Sequence, residues 1–255
     1  MPPTPTATVR DLVDGARRIC VLTGAGMSAE SGIATFRDAQ VGLWAQYDPT
    51  ELASPQAWAA DPELVWGWYR WRTRLVARAH PNDGHRALAR FAQRRLVEIV
   101  TQNVDDLHER AGSEVLSHLH GSLFANRCER CQAPEDRPDA PPDLDEPDGA
   151  TASPQRVPPP RCHRCGAAVR PGVVWFGEAL PVDALERAAE AVTSADLVLV
   201  VGTSGMVYPA AGLPGLAQNA GVPVVEINPQ PTALSGLVDH VCRGSAATVL
   251  PEVLG

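Results

Sequence analysis

Four cysteines in two short pairs, Cys128-x-x-Cys131 and Cys162-x-x-Cys165, carry the strongest chemical signal in the chain. Two such knuckles supply four thiolates, a set that holds one tetrahedral zinc ion and leaves no open coordination position. The metal expected is therefore structural rather than catalytic. His163 sits inside the second knuckle but is not needed as a ligand. A redox dithiol or four unrelated thiols would not explain why both pairs coincide with a break in the α/β pattern. A zinc ribbon reading nucleic acid is disfavoured by the acidic insert between the knuckles. Cys20 and Cys242 stand alone on predicted strands and read as core residues.

A different chemistry is written at Thr23-Gly24-Ala25-Gly26, which follows the short apolar run Ile19 to Leu22. Such a run suits a strand buried on both faces. The two glycines permit a tight turn and let backbone N–H groups come close to a ligand. Ser28 or Ser31 could then cap a helix, giving a strand–turn–helix corner that attracts phosphate. The dinucleotide pattern G-x-G-x-x-G is incomplete, because Ala29 holds the third position and Gly32 comes three residues later. The polar and aromatic cluster Glu30, Thr35, Phe36 and Arg37 completes a nucleotide-type turn where a plain turn would not need it.

Other strand ends supply matching groups. Leu96 to Val100 runs into Thr101-Gln102-Asn103-Val104-Asp105-Asp106, and Ala195 to Val201 into Gly202-Thr203-Ser204-Gly205. Pro223 to Ile227 ends at Asn228-Pro229, and Val238 to Arg243 precedes Gly244-Ser245-Ala246. Open α/β sheets bind ligands at the carboxyl ends of their strands. Val115 to His120 reads as a further strand on which His118 and His120 share a face. His120, beside Gly121 at its end, is placed as a base useful near neutral pH. The chain shows neither a serine-protease nor a nucleophilic-cysteine arrangement.

The elements that position these groups alternate strand and helix. Short helices are expected over Val9 to Arg17, after Ser54-Pro55, from Glu63 to about Ala79 after Asp61-Pro62, and over Asp83 to Arg95. The fold class expected is α/β: a Rossmann-type, doubly wound parallel sheet with a small zinc-binding domain inserted. The sheet domain takes approximately 9–50, 82–122 and 172–255. A helical part occupies 51–81 and the metal module 123–171, with a mobile, proline-rich acidic loop over 133–160. Residues 38 to 50 read as a loop anchored by Leu43 and Trp44. With 255 residues, 44% of them hydrophobic, the chain can bury a full core. A net charge of −8 argues against a general nucleic-acid binder. The start has the character of no secretion signal and no apolar run approaches a membrane span. The expectation is a cytoplasmic monomer whose cysteines stay reduced or bind metal.

Taken in order, Gly24-Ala-Gly-Met-Ser-Ala-Glu-Ser-Gly-Ile-Ala-Thr-Phe-Arg37, Thr101-Gln-Asn-Val-Asp105, Leu119-His-Gly121, the cysteine pairs, Val174-Trp-Phe-Gly-Glu178, Gly202-Thr-Ser204 and Glu226-Ile-Asn228 resemble the signature blocks of the sirtuins, from about Arg17 to the C-terminus. Met27, Ala34 and Gly205 depart from commoner Ile, Pro and Ser without removing a polar group. The resemblance implies an NAD-dependent protein-lysine deacylase with one structural zinc on Cys128, Cys131, Cys162 and Cys165. It implies an NAD site of Gly24, Ala25, Gly26, Ser28, Glu30, Thr35, Phe36, Arg37, Gln102, Asn103, Asp105, Gly202, Thr203, Ser204, Asn228 and Ala246. Asn103 and Asp105 would hold the nicotinamide end and its ribose, and His120 would be the general base. In that family the acyl oxygen attacks the ribose carbon as nicotinamide departs. A ribose hydroxyl then attacks with help from the histidine, and water releases lysine with O-acyl-ADP-ribose. Val174, Trp175, Phe176, Gly177 and Glu178 would pair with an acylated protein as an added strand.

Tyr69 and Arg72, three apart on one helix, can jointly bind a carboxylate. They resemble the Y-x-x-R pair of sirtuins that remove succinyl, malonyl or glutaryl groups, and Ala53 matches the small residue that leaves room for such a chain. An aromatic-basic face with snorkelling arginines is the plain alternative for that helix. The expected activity is removal of succinyl and malonyl groups and, more weakly, acetyl groups. A mono-ADP-ribosyltransferase on the same pocket and a non-catalytic NAD-sensing protein are the other readings. The presence of His120, Asn103 and Asp105 weighs against the latter.

Overall fold

A computed structural model of the chain describes residues 4–33, 52–135 and 155–255. Ala34, Thr35, Phe36, Arg37, the 38–50 loop and most of the 133–160 insert lie outside the described residues. The described elements begin with α1 (Thr6–Gly15), β1 (Arg18–Thr23), α2 (Pro55–Ala60), α3 (Pro62–Arg78), α4 (Asp83–Ala92), β2 (Leu96–Thr101), α5 (Leu107–Arg110) and β3 (Val115–His118). They continue with β4 (Asn126–Cys128), β5 (Pro134–Glu135), β6 (Val169–Arg170), α6 (Val182–Ser194), β7 (Leu197–Val201), α7 (Leu213–Asn219), β8 (Val224–Ile227), β9 (His240–Cys242) and α8 (Ala246–Leu254). They fall into two compact units, one of Met1–Thr35, His80–Leu119 and Leu180–Gly255, the other of Phe36–Ala79 and His120–Ala179.

The first unit is built on a sheet of order β3-β2-β1-β7-β8-β9. Every pairing in it is parallel. Its central strands are apolar throughout because both faces are covered. Ile19, Val21, Leu197 and Leu199 join one core cluster with Val9, Leu88, Phe91 and Leu250. Their neighbours Cys20, Leu22, Val198 and Val200 join another with Ala188, Val192, Leu213 and Ala217. The period of two thus feeds two helical layers, α1, α4 and α8 against one face and α6 and α7 against the other. Strand order reverses direction between β1 and β7, the switch point where such sheets open a crevice.

The glycine turn lies at that point. An added Cβ on Gly26 would come 2.7 Å from the Gly202 Cα, and one on Gly202, at φ +64°, 2.4 Å from the Met27 nitrogen. The two loops meet backbone to backbone, which only glycines allow. Among the described residues no α-helix follows this turn, as far as Ile33. Two 3-10 turns, Ala25–Met27 and Ala29–Ser31, follow instead, and neither Ser28 nor Ser31 caps a helix. The reason is that the Ser28 hydroxyl donates to Asp105 Oδ2 at 2.9 Å, a tertiary bond that replaces the local one. The strand expected over Val115 to His120 also stops early, at His118, so His118 and His120 do not share a strand face. The other differences are element ends of one to three residues.

The second unit has a small antiparallel sheet of order β5-β4-β6 and the helices α2 and α3. Both helices start as their sequences dictate. Ser54 Oγ accepts from the Ala57 N–H and Asp61 Oδ1 from the Leu64 N–H, each at 3.1 Å, with proline in the first turn. Gly67 of α3 lets the backbone at Gln155 pass, since a Cβ there would lie 1.8 Å from the Gln155 carbonyl oxygen.

Candidate active site

In the first unit the strand exits extend the parallel ladder into their loops. Gly24 N–H donates to Val201 O at 3.0 Å, Gly26 N–H to Gly202 O at 2.8 Å, and Gly202 N–H to Ile227 O at 3.0 Å. Gln102 N–H donates to Thr23 O at 2.9 Å and Asn228 N–H to Cys242 O at 3.2 Å. Side chains then cross-link the loops. Gln102 Nε2 donates to Thr203 Oγ1 at 3.2 Å, and Asn228 Nδ2 to Thr203 O at 3.1 Å. Gly24, Ala25, Gly26, Ser28, Gln102, Asn103, Asp105, Gly202, Thr203, Ser204 and Asn228 therefore stand on one set of strand-end loops.

Ser28, Asn103 and Asp105 form a buried polar knot there. The Ser28 hydroxyl accepts from Asn103 Nδ2 at 3.2 Å while donating to Asp105, whose Oδ1 accepts from the Leu107 N–H at 3.1 Å. Burial raises the Asp105 pKa above the ordinary carboxylate value, and the Leu107 and Ser28 bonds offset part of that. Glu30 Oε2 accepts from the Ala247 N–H at 3.0 Å, beside Ala246 at the start of α8. Its carboxylate thus meets the positive end of that helix.

His118 pairs with Glu109 at 2.6 Å through Nε2, and its Nδ1 lies 3.4 Å from the Asn103 carbonyl. Burial opposes its charged form, but the Glu109 bond and charge outweigh that and raise its pKa.

In the second unit the Sγ atoms of Cys128, Cys131, Cys162 and Cys165 all lie within 4.8 Å of one another. Cys128 and Cys165 are 3.4 Å apart, and Cys131 and Cys162 3.7 Å. Tetrahedral zinc with bonds of about 2.3 Å needs thiolates about 3.8 Å apart, so this donor set fits the ion. Cys128 Sγ also accepts from the Arg130 and Cys131 N–H groups, each at 3.4 Å. His163 Nδ1 lies 2.8 Å from Glu135 Oε1, outside this four-sulfur set.

The segment Val174 to Glu178 is a tight turn whose amides are held within the same unit. Val174 N–H donates to His120 O at 2.8 Å, Phe176 N–H to Ala53 O at 2.9 Å, and Trp175 N–H to Glu178 Oε2 at 2.9 Å. Arg170 grips Glu178 with two bonds of 2.6 and 2.9 Å, and its Cζ lies 3.4 Å over the Trp175 ring. Although burial works against the charged carboxylate, Arg170 and the Trp175 amide hold Glu178 below its usual pKa. On α3, the Trp175 indole donates to the Tyr69 hydroxyl at 3.1 Å. Arg72, one turn on, lies 5.2 Å over the Trp68 ring. Burial pushes the Tyr69 phenol up to about 12, against the opposing Arg72 charge and Trp175 bond, so it is neutral at any physiological pH.

Three polar residues that spacing did not flag are built into the first unit. His85 and His108 are buried beside the Ser28 knot, and only the fit of His85 to a capping pattern after Asn82 could have singled it out. Glu226 is buried under the Asn228 loop, accepting from Ser235 Oγ at 2.6 Å, from Arg243 at 3.2 Å and from the Thr232 hydroxyl.

A family model, that of the Sir2 family, matches residues 24–209. A Pseudomonas aeruginosa protein named NAD-dependent protein deacylase 1 is 56% identical over 247 residues, covering 96% of each chain. A solved complex of a Sir2 homologue with NAD superposes with a TM-score of 0.87 at 44% identity, covering 99% of this chain and 93% of that one. Another, Sir2Tm bound to a propionylated peptide, gives 0.80 at 28% identity and covers 98% of both chains.

Proposed function

The chain belongs to the Sir2 family, the NAD-dependent protein deacylases, and from that premise we propose that it removes succinyl and malonyl groups from protein lysines in preference to acetyl groups. The observation that carries the preference is Tyr69. Its buried hydroxyl already accepts a hydrogen bond from Trp175, so it offers its proton as a donor, one helical turn from the Arg72 guanidinium. A phenol donor and a guanidinium side by side suit a carboxylate at the end of an acyl chain. Ala53, whose carbonyl accepts from the Phe176 N–H, is the small residue we assign to the acyl-chain side of the site.

The NAD site is assigned to the strand-end loops of the first unit, with Asn103 and Asp105 at the nicotinamide end and its ribose. Thr35, Phe36 and Arg37, which lie outside the described residues, are assigned to NAD as well, on the sequence resemblance alone. The chemistry NAD supplies when bound is an ADP-ribosyl acceptor for the acyl group, with nicotinamide as leaving group. His120 takes the proton from a ribose hydroxyl as general base. Backbone groups of Val174 to Glu178 pair with the acylated protein, which gives affinity with little demand on sequence. The cysteine set holds zinc as a structural ion.

The test follows products by mass spectrometry from succinyl-, malonyl- and acetyl-lysine peptides with NAD. Succinyl- and malonyl-lysine are expected to be cleaved with the higher kcat/KM, releasing O-acyl-ADP-ribose, and His120→Ala to abolish turnover. Arg72→Met is expected to lower succinyl kcat/KM about 10- to 100-fold, the scale of one charged hydrogen bond, and acetyl kcat/KM much less. Equal losses on both substrates would overturn the carboxylate assignment. ADP-ribosylated protein as the main product would overturn the deacylase reading.

A further inference from the structure

The two buried histidines of the first unit have complementary vacancies in their hydrogen bonding. His85 is fully buried and its Nδ1 accepts from the Asn82 N–H at 3.3 Å, so its proton is on Nε2. That Nε2–H has no partner in the described structure. His108 is 2% exposed, and its Nε2 lies 3.2 Å from Thr23 Oγ1. The Thr23 hydroxyl donates to Thr101 Oγ1 at 2.8 Å, so it accepts from His108, which carries its proton on Nε2 and keeps a bare Nδ1. That Nδ1 is also without a partner. An orphaned donor and an orphaned acceptor therefore sit on rings whose centroids are 4.8 Å apart. A buried polar atom left unpaired is costly, and each ring holds what the other lacks.

We propose that His85 and His108 are positioning residues for the NAD site, joined from Nε2–H to Nδ1 through one buried water, so that a single hydrogen-bonded relay ties the loop after β1 to the loop after β2. One end of the relay is Asn82, whose Nδ2 holds the Met27 carbonyl at 2.8 Å and the Ser31 hydroxyl at 3.1 Å. The other is Thr101, whose Oγ1 accepts from the Asn103 N–H at 3.0 Å. Between those ends stand Ser28 and Asn103, bonded to each other. The relay fixes the spacing of two loops that must hold one ligand, and neither histidine has to touch it. This rests on the assignment of Ser28, Asn103 and Asp105 to NAD.

Nitrogen-detected NMR of the imidazoles in the zinc-loaded protein tests the relay without any variant. Both rings should be neutral Nε2–H tautomers at pH 7, with the His85 Nε2–H protected from exchange. A charged ring, or a proton on Nδ1 of either, would overturn it. Among variants, His108→Leu should raise the NAD Kd and KM about tenfold, the scale of one buried hydrogen bond, with the acyl-peptide KM little changed. His108→Gln, which keeps a donor toward Thr23, should recover part of the loss. A His85→Leu/His108→Leu double variant should lose no more than the worse single one, because a broken relay cannot be broken twice. Additive losses, or equal rises in both KM values, would overturn the proposal. Failure of the unmodified protein to take up NAD would instead sink the assignment of the site.

Discussion

The two units satisfy their interiors by different means. The first places its polar groups at the edges and strand ends of a large apolar sheet core, where several close on main chain. Asp196 Oδ2 accepts from the Arg17 and Arg18 N–H groups, both at 2.9 Å, Glu30 binds the α8 amide of Ala247, and Asn82 holds the Met27 carbonyl. These bonds edge a sheet whose two faces are continuous apolar clusters. The second joins side chain to side chain: Arg170 to Glu178 and over Trp175, Trp175 to Tyr69, Trp58 Nε1 to Glu129 at 2.8 Å, and four thiols to one another. Its strands are two or three residues long. A hydrophobic sandwich loses stability in increments, whereas a unit pinned by a few specific groups fails when one is removed.

Metal removal is the harshest way to break that contrast. Structural zinc binding is worth about 10–16 kcal/mol in small metal modules, more than a typical domain's margin of about 5–15 kcal/mol can lose. Elemental analysis should find about one zinc per chain. A strong chelator, or Cys162→Ala, should abolish amide-exchange protection at Cys128, Val169 and Cys162 while Val21, Leu199 and Val225 in β1, β7 and β8 keep theirs. Loss of protection in both units to the same extent would end the distinction.

Acid should reverse the order of failure. Burial lowers the pKa of His85 to about 4, with Arg86 adding to it. It lowers that of His108 to about 3, with the charges of His85 and His118 adding. Both lie below the unfolded value near 6.5, so the unfolded chain binds more protons between these limits. Stability is fully present above pH 6.5 and falls as pH drops through the window, by about 1.4 kcal/mol per unit for each histidine once the window is entered. Asp105, whose pKa burial raises, gives a slope of opposite sign that begins at its unfolded carboxylate value. In the second unit Glu178 has a folded pKa below 4.5, so the stability it gives is lost only at lower pH. Exchange protection between pH 6.5 and 5 should therefore weaken first around α4 and α5, provided zinc occupancy is checked at each pH. Earlier weakening at Val169 with the metal still bound would contradict this.

The residues show what a sequence can and cannot reveal. Ser54 and Asp61 act within three residues of themselves, and their caps are as spacing predicts. The parallel sheet is legible because buried runs such as Leu197–Val201 are apolar on both faces. Ser28 misleads for the opposite reason: its partner Asp105 is 77 positions away, and that bond overrides a local helix start. His85 and His108 are silent because a neutral buried histidine leaves no charge pattern. The Trp175–Tyr69 bond spans 106 positions and joins two residues that the sequence singles out separately, with no local spacing to pair them.

The mildest test asks whether the helices of the second unit, rather than its specific groups, set its stability. Ser54→Ala removes the acceptor for the Ala57 N–H and should cost about 1 kcal/mol in the zinc-loaded protein, the usual value of a lost cap. Asp61→Ala should cost slightly more, since Asp61 also pairs with Arg156, a half-exposed contact of small value. Denaturant midpoints followed by tryptophan fluorescence can resolve both, because Trp58 and Trp66 lie on α2 and α3. Neither change touches a thiol, so zinc content should stay at one per chain. If Ser54→Ala cost several kcal/mol or released the metal, α2 would be the element that holds the unit together, and the cysteine cluster would be secondary to it.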